Sequence, residues 1–143
     1  MSNQEEVEVS YDVGNEFFRL WLDEKMNYTC GNWDGVDNLE AAQVAKLEWH
    51  ARAANVGPGK RLLDIGCGWG ANLEYQTKVK GVTDAVGITL SRSQCEEVNR
   101  RQLPGVMAKV CDFRDFRPDF KFDSVISIRS EERRVGKECR SRW

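Results

Sequence analysis

Ten residues, Arg61 to Gly70 (RLLDIGCGWG), constrain this chain more than any others. Leu62, Leu63 and Ile65 form a short apolar run of the kind used in a strand covered on both faces. Gly66, Gly68 and Gly70 then follow at alternate positions. Glycine tolerates positive φ and has no Cβ to collide with a bound molecule. A strand that opens into such a turn and then a helix is a usual host for a nucleotide-like group at the strand's carboxyl end. The dinucleotide fingerprint wants its third glycine one residue later and an acid closing the second strand. This sequence has neither, which disfavours a nicotinamide-dependent dehydrogenase. A glycine turn that holds no ligand remains the alternative.

At 143 residues the chain is the size of one modest domain, and 41% apolar with 31% charged residues is ordinary soluble composition. The amino terminus, MSNQEEVEVS, is acidic and has no apolar core of a signal peptide, and no stretch approaches a membrane span. Cys30, Cys67, Cys95, Cys111 and Cys139 are odd in number, scattered and form no CxxC pair. That pattern predicts free thiols in a reducing compartment, hence a cytoplasmic location, and no metal site. His50, the only histidine, falls in a predicted helix and reads as a polar-face residue.

Residues 10–22 predict a turn running into a short helix, with Val13, Phe17, Leu20 and Trp21 at helical spacing. The loop that follows carries Tyr28, Cys30 and Trp33. Asp37 followed by Glu40 matches a capping box and predicts a helix from Asp37 to Val56, ended by Pro58 and Gly59. Its apolar residues fall on two stripes, Val44, Leu47, Ala51 and Ala54 against Ala42, Ala45, Trp49 and Ala53. Two stripes predict two neighbours, the sheet and the aromatic segment, with Phe17 and Trp21 over the glycine turn. Beyond the turn come a weak helix over 70–79, a strand from Ala85 to Thr89, and a helix opened by Ser91 and Gln94 that ends near Pro104. Strands from Val106 to Cys111 and from Phe122 to Ile128 follow. Alternating strands and helices predict a parallel α/β sheet.

The last fifteen residues, RSEERRVGKECRSRW, break this pattern. They carry a net charge of +3 and leave residues 1–128 at −5. A basic tail can mark a nucleic-acid surface, but this string resembles a translated sequencing-library adapter fused to a truncated frame. It is set aside from fold reasoning, with no nucleic-acid partner expected. A sheet stopped after four strands leaves Val125, Ile126 and Ile128 on a central strand that has lost its further neighbours, and the truncated chain alone is expected to be aggregated or molten and catalytically silent.

The acid-x-Gly-x-Gly-x-Gly string from Asp64 to Gly70 resembles the first motif of S-adenosylmethionine-dependent methyltransferases. The runs YDVGNEFFRLWLDEKMNYTC, LEAAQVAKLE, PGKRLLDIGCGWG, GITLSRSQ, DFRDF and FDSVISI resemble, in order, the motifs of the cyclopropane-fatty-acyl-phospholipid synthases and mycolic acid cyclopropane synthases. Ser10 departs, standing where that family commonly has histidine. The resemblance implies the amino-terminal half of a Rossmann-like class I methyltransferase fold, a parallel sheet flanked by helices. Residues 1–37 would form an aromatic helical cap, residues 38–128 the cofactor domain, and residues 129–143 a non-native tail.

By the same resemblance, Tyr28 and Thr29 meet the carboxylate of S-adenosyl-L-methionine, Gly66 and Gly68 its backbone-facing side, and Asp64 its ammonium. Thr89, Leu90 and Gln94 hold the ribose, Gln94 being equally readable as a helix cap, and Asp112 and Phe113 flank the adenine. The implied reaction is methylene transfer to the double bond of an unsaturated acyl lipid or carrier-bound acyl chain. It asks the site to stabilise transient positive charge, a task for the aromatic faces of Tyr11, Phe17, Tyr28 and Trp33. Bicarbonate is implied as proton acceptor in the complete protein, with Cys30 lining its site, so Cys30 and Tyr11 are the catalytic candidates. Membrane contact would be at most peripheral. A small-molecule C-, N- or O-methyltransferase, or a non-catalytic fragment, remains the alternative.

Overall fold

The computed structural model describes residues 14–128, so Tyr11, Val13 and the basic tail lie outside the described residues. Two helices lead into alternating strands and helices, and two strands in succession close the described chain: α1 Asn15–Arg19, α2 Leu39–Ala53, β1 Arg61–Ile65, α3 Ala71–Lys78, β2 Asp84–Thr89, α4 Arg92–Arg100, β3 Val106–Val110 and β4 Ser124–Ile126. The strands form one sheet in the order β3-β2-β1-β4, and every pairing is parallel. Chain order therefore reverses beside β1. A crevice opens at the carboxyl ends of the strands where such a reversal occurs.

Register explains the core. Leu62 pairs with Ala85 and Ser124, and Asp64 with Gly87 and Ile126. Because side chains alternate, Leu62, Asp64, Ala85, Gly87 and Ile126 share the face that packs on the helices, through Leu73 of α3 and Cys95 and Val98 of α4. Leu63, Val86 and Ile88 share the opposite face, packed against Phe116 and Phe122 from the stretch before β4. Gly87 is a packing requirement, since a Cβ there would lie 2.6 Å from Leu73 Cδ1 and 2.7 Å from Cys67 Sγ.

Five sequence expectations need correction. The α2 cap is Asn38, whose side chain accepts from the Ala41 backbone N–H at 2.9 Å. Asp37 instead accepts from the Asn38 side chain, so the pair one residue out of register with the capping box does the capping. The helix also ends three residues earlier than expected, at Ala53. Its two apolar stripes reduce to one: Ala42, Leu47 and Ala51 are buried, together with the polar Gln43 and Lys46, while Val44 and Trp49 are half exposed. In α1 the docking residue is Phe18, 3% exposed, whereas Phe17 and Trp21 are exposed. β4 is shorter than expected and pairs only with β1 among the described residues, with Val125 exposed and Ile126 buried.

The cap assignment is directly testable. Asn38→Ala is expected to lower stability by about 1 kcal/mol in urea unfolding followed by circular dichroism, and Asp37→Ala to leave it nearly unchanged. Equal losses would return the cap to Asp37.

Candidate functional site

β1 runs into the glycine turn, which is pinned to the neighbouring strand: the backbone N–H groups of Gly66 and Cys67 both donate to Ile88 O, at 2.9 and 3.0 Å. Gly66, Gly68 and Gly70 have φ of 73°, 53° and 81°, all in the region that glycine alone enters without strain. Gly70 then caps α3. A Cβ at Gly68 would meet nothing within 4 Å, whereas one at Gly70 would strike Val98 and Arg101. Gly70 is thus needed for packing, and Gly68 faces open space.

Below the turn sits Asp64, 2% exposed. Burial pushes its carboxyl up to about 7, against the opposing influence of the Asn72 amide and the Lys46 ammonium. The Asn72 amide is its nearest polar neighbour, yet Asp64 Oδ2 and Asn72 Nδ2 are both buried outside full hydrogen-bond geometry. Two orphaned groups on one patch of floor mark a place built for something other than packing.

Tyr28 and Thr29 lie in the loop between α1 and α2, tied to α1 by ring contacts and to α2 by Gln43 and Lys46. Lys46 Nζ donates to Thr29 Oγ1 at 2.8 Å, Gln43 Oε1 at 2.6 Å and Asn27 Oδ1 at 3.3 Å. Gln43 Nε2 donates to Thr29 O at 2.8 Å. Asp23 closes the loop by accepting from the Asn27 backbone at 2.6 Å and its side chain at 2.8 Å. An aromatic cluster joins the same parts: Phe18 lies 4.9 Å from Trp69 and 5.6 Å from Tyr28, and Trp21 lies 5.5 Å from Tyr28. Trp69 Nε1 donates to Asn15 Oδ1 at 2.7 Å, fixing α1 over the turn. Glu74, buried at the start of α3, accepts from Lys25 of the loop, Lys78 of its own helix and Arg101 after α4. Arg101 also donates to Trp69 O.

The other expected residues lie at the carboxyl ends of β2 and β3. Thr89 Oγ1 donates to Gln94 Oε1 at 2.8 Å and accepts from the Ser91 backbone N–H at 3.2 Å. Ser91 caps α4 by accepting from the Gln94 backbone N–H. Only that half of the expected capping box forms, since the Gln94 side chain turns to Thr89. Leu90 is partly buried against the Phe18, Met26 and Trp69 cluster. Asp112 accepts from the Arg114 backbone and guanidinium, both at 2.9 Å, and these bonds hold its carboxyl below the usual range. It fixes the turn that leaves Phe113 about half exposed. Cys30 and Trp33 are exposed.

The turn is thus bonded to Ile88 beside Thr89, which pairs with Gln94, and Leu90 and Tyr28 both pack on the Phe18 cluster beside Trp69, with Asp64 buried below and Asp112 and Phe113 after the adjoining strand. Sequence reasoning missed Lys46, Gln43, Asn27 and Asn72. The available signal was that Gln43 and Lys46, three apart, lie on one helix face with Leu47.

A family model described as mycolic acid cyclopropane synthetase matches residues 1–142. The chain belongs to this family. The cyclopropane-fatty-acyl-phospholipid synthase of Escherichia coli (strain K12) is 38% identical over 120 residues, covering 82% of this chain and 30% of that protein. Cyclopropane mycolic acid synthase MmaA2 of Mycobacterium tuberculosis (strain ATCC 25618 / H37Rv) is 40% identical over 97 residues, covering 67% of this chain and 33% of the relative. The chain thus spans about a third of the length of these relatives. The crystal structure of mycolic acid cyclopropane synthase CmaA1 with SAH and CTAB superposes with a TM-score of 0.81 at 31% identity, over 89% of this chain and 46% of that one. The fold is accordingly the Rossmann-like one of this synthetase family. Among the described residues no helix is long and apolar enough to cross a membrane, and no group of His, Cys, Asp and Glu could hold a metal ion.

Asp64 gives this synthetase-family site a pH signature. Its carboxyl titrates at 3.8 unfolded and about 7 folded. Between those values the folded chain holds a proton that the unfolded chain has released, so raising the pH through that window removes stability, about 4 kcal/mol in all. Asp64→Asn removes this loss. Its thermal midpoint is expected to exceed that of the unaltered protein by a margin that widens from about pH 5 to about pH 8. A margin constant over that range would mean that Asp64 ionises as freely folded as unfolded.

Proposed function

We propose that this protein binds S-adenosyl-L-methionine at the glycine turn and provides the cofactor half of an enzyme that transfers a methylene to the double bond of an unsaturated acyl chain. The observation that carries the reading is the pairing of an open cradle at Gly68 with an orphaned, buried carboxylate oxygen at Asp64. Those residues fit the group. A glycine whose missing Cβ leaves open space admits close backbone approach, and an acid without a partner is what a ligand ammonium would satisfy. The likeness to CmaA1, solved with SAH, supports the same reading.

When bound, S-adenosyl-L-methionine supplies an electrophilic methyl group. The chain's own residues bind, orient and exclude water. Tyr28 and Thr29 take the carboxylate end, Asp64 the ammonium, and Gly66 and Gly68 the backbone-facing side. Thr89 and Gln94, already bonded to each other, offer neutral hydrogen-bonding groups to a ribose diol, with Leu90 beside them. Phe113 offers a ring face for the adenine, set by the Asp112 turn. Phe17, Tyr28 and Trp33 are exposed, and their faces stabilise positive charge developing on the acceptor, each by about 1 to 2 kcal/mol once water is excluded. Cys30 lies two residues beyond Tyr28 and lines the acceptor side, where an anion such as bicarbonate takes up the proton. The acceptor is an unsaturated acyl lipid or carrier-bound acyl chain.

Isothermal titration is expected to show binding of S-adenosylhomocysteine and none of NAD. Gly68→Val is expected to abolish it, because a β-branched residue both fills the cradle and is strained at φ of 53°. Unchanged affinity in that variant would sink the cofactor assignment. The acceptor is tested separately, by mass spectrometry of phospholipids from a host producing the protein with its complete reading frame. Gain of one methylene per double bond with loss of the alkene is expected, and methylation of nitrogen or oxygen would replace this acceptor with a small molecule.

A further inference from the structure

We infer that Lys46 is a positioning residue for the amino-acid end of the ligand: from behind the Tyr28–Thr29 segment, its ammonium holds the Thr29 hydroxyl so that the hydroxyl's own proton is offered to an incoming carboxylate. The inference rests on the cofactor reading above and deepens it. Lys46 is 7% exposed. An ammonium carries three protons, and all three are used, on Thr29 Oγ1, Gln43 Oε1 and Asn27 Oδ1. Every one of these acceptors is neutral.

That is an expensive arrangement if the purpose is only to pack α2. A buried ammonium without an ion-pair partner costs more than an apolar side chain of the same length. Asp23 and Asp64 attract the charge from further off, yet burial dominates and lowers the Lys46 pKa. Asp23 is occupied by Asn27 and the Lys25 backbone, and Asp64 belongs to the floor of the turn. What lysine supplies here and methionine cannot is positive potential delivered through a single hydroxyl. Thr29 Oγ1 accepts from Lys46, so its proton remains for donation, and Gln43 Nε2 fixes the same residue by its carbonyl. Thr29 is itself half-buried, between this network and the open rim. Such a device recognises a carboxylate and is indifferent to a nucleoside.

The test compares two ligands by isothermal titration: S-adenosylhomocysteine, and 5′-methylthioadenosine, which keeps the nucleoside and thioether and lacks the amino-acid end. In Lys46→Met the first is expected to bind about ten- to a hundredfold more weakly, with the second unchanged. Gln43→Met keeps the lysine and removes both amide bonds, and is expected to shift the affinity ratio in the same direction. Near-ultraviolet circular dichroism establishes that each variant is folded. Equal weakening of both ligands, or an unaltered ratio in both variants, would overturn the inference while leaving the cofactor reading intact. If the unaltered protein binds neither compound, the cofactor reading falls and takes this inference with it.

Discussion

The interaction on which the rest depends is the double backbone contact between the glycine turn and Ile88 O. It forces the chain to leave β1, cross to the end of β2 and enter α3 within five residues, which is possible only with three residues at positive φ. Once the turn is so fixed, Asp64 is carried beneath it, α3 begins at Ala71, and the loop before α2 gains a rim to rest on. The three glycines therefore have different tasks in one device. Gly70 makes room for α4, Gly68 leaves space outward, and Gly66 is held against the sheet.

The site is assembled from weak parts that stiffen one another. The one neutral bond here, from Gln43 Nε2 to Thr29 O, would contribute only about 1 kcal/mol to stability, and Asn27, Thr29 and Gln43 are otherwise joined through Lys46. Sharing one buried ammonium makes their geometry mutual, because no acceptor can rotate away without exposing a charge to an apolar interior. The aromatic cluster of Phe18, Trp21, Tyr28 and Trp69 covers the same segment from the other side.

Much of this was legible in the sequence, for identifiable reasons. The β1 run and the alternate glycines force their structure locally, and the strand-helix alternation leaves a parallel sheet as the natural packing. Phe18 docks where Phe17 and Trp21 were expected over the glycine turn, because neighbouring positions on so short a helix differ by only about a third of a turn and tertiary docking chooses between them. Asn38 and Asp37 are both good caps one residue apart, and backbone geometry decides. Lys46 and Gln43 were passed over, despite sharing a helix face with Leu47, because polar residues on a helix read as solvent-facing. Their burial follows from a loop whose path no periodicity encodes. The pairing of Thr89 with Gln94 was hidden likewise, since Gln94 already had a local explanation as a cap.

Glu74 binds cations from three separate stretches of chain: Lys25 before α2, Lys78 in α3 and Arg101 after α4. Segments that share one largely buried carboxylate have a common anchor, so the loop, α3 and the end of α4 are held in one relation to each other. The loop that forms the rim is thereby joined to the folding unit of the sheet and its helices, and its opening becomes a subglobal event rather than local fraying. A region that sequence alone would assign to a mobile surface loop is tied to the packed interior at Lys25 and through the buried Asp23 and Met26.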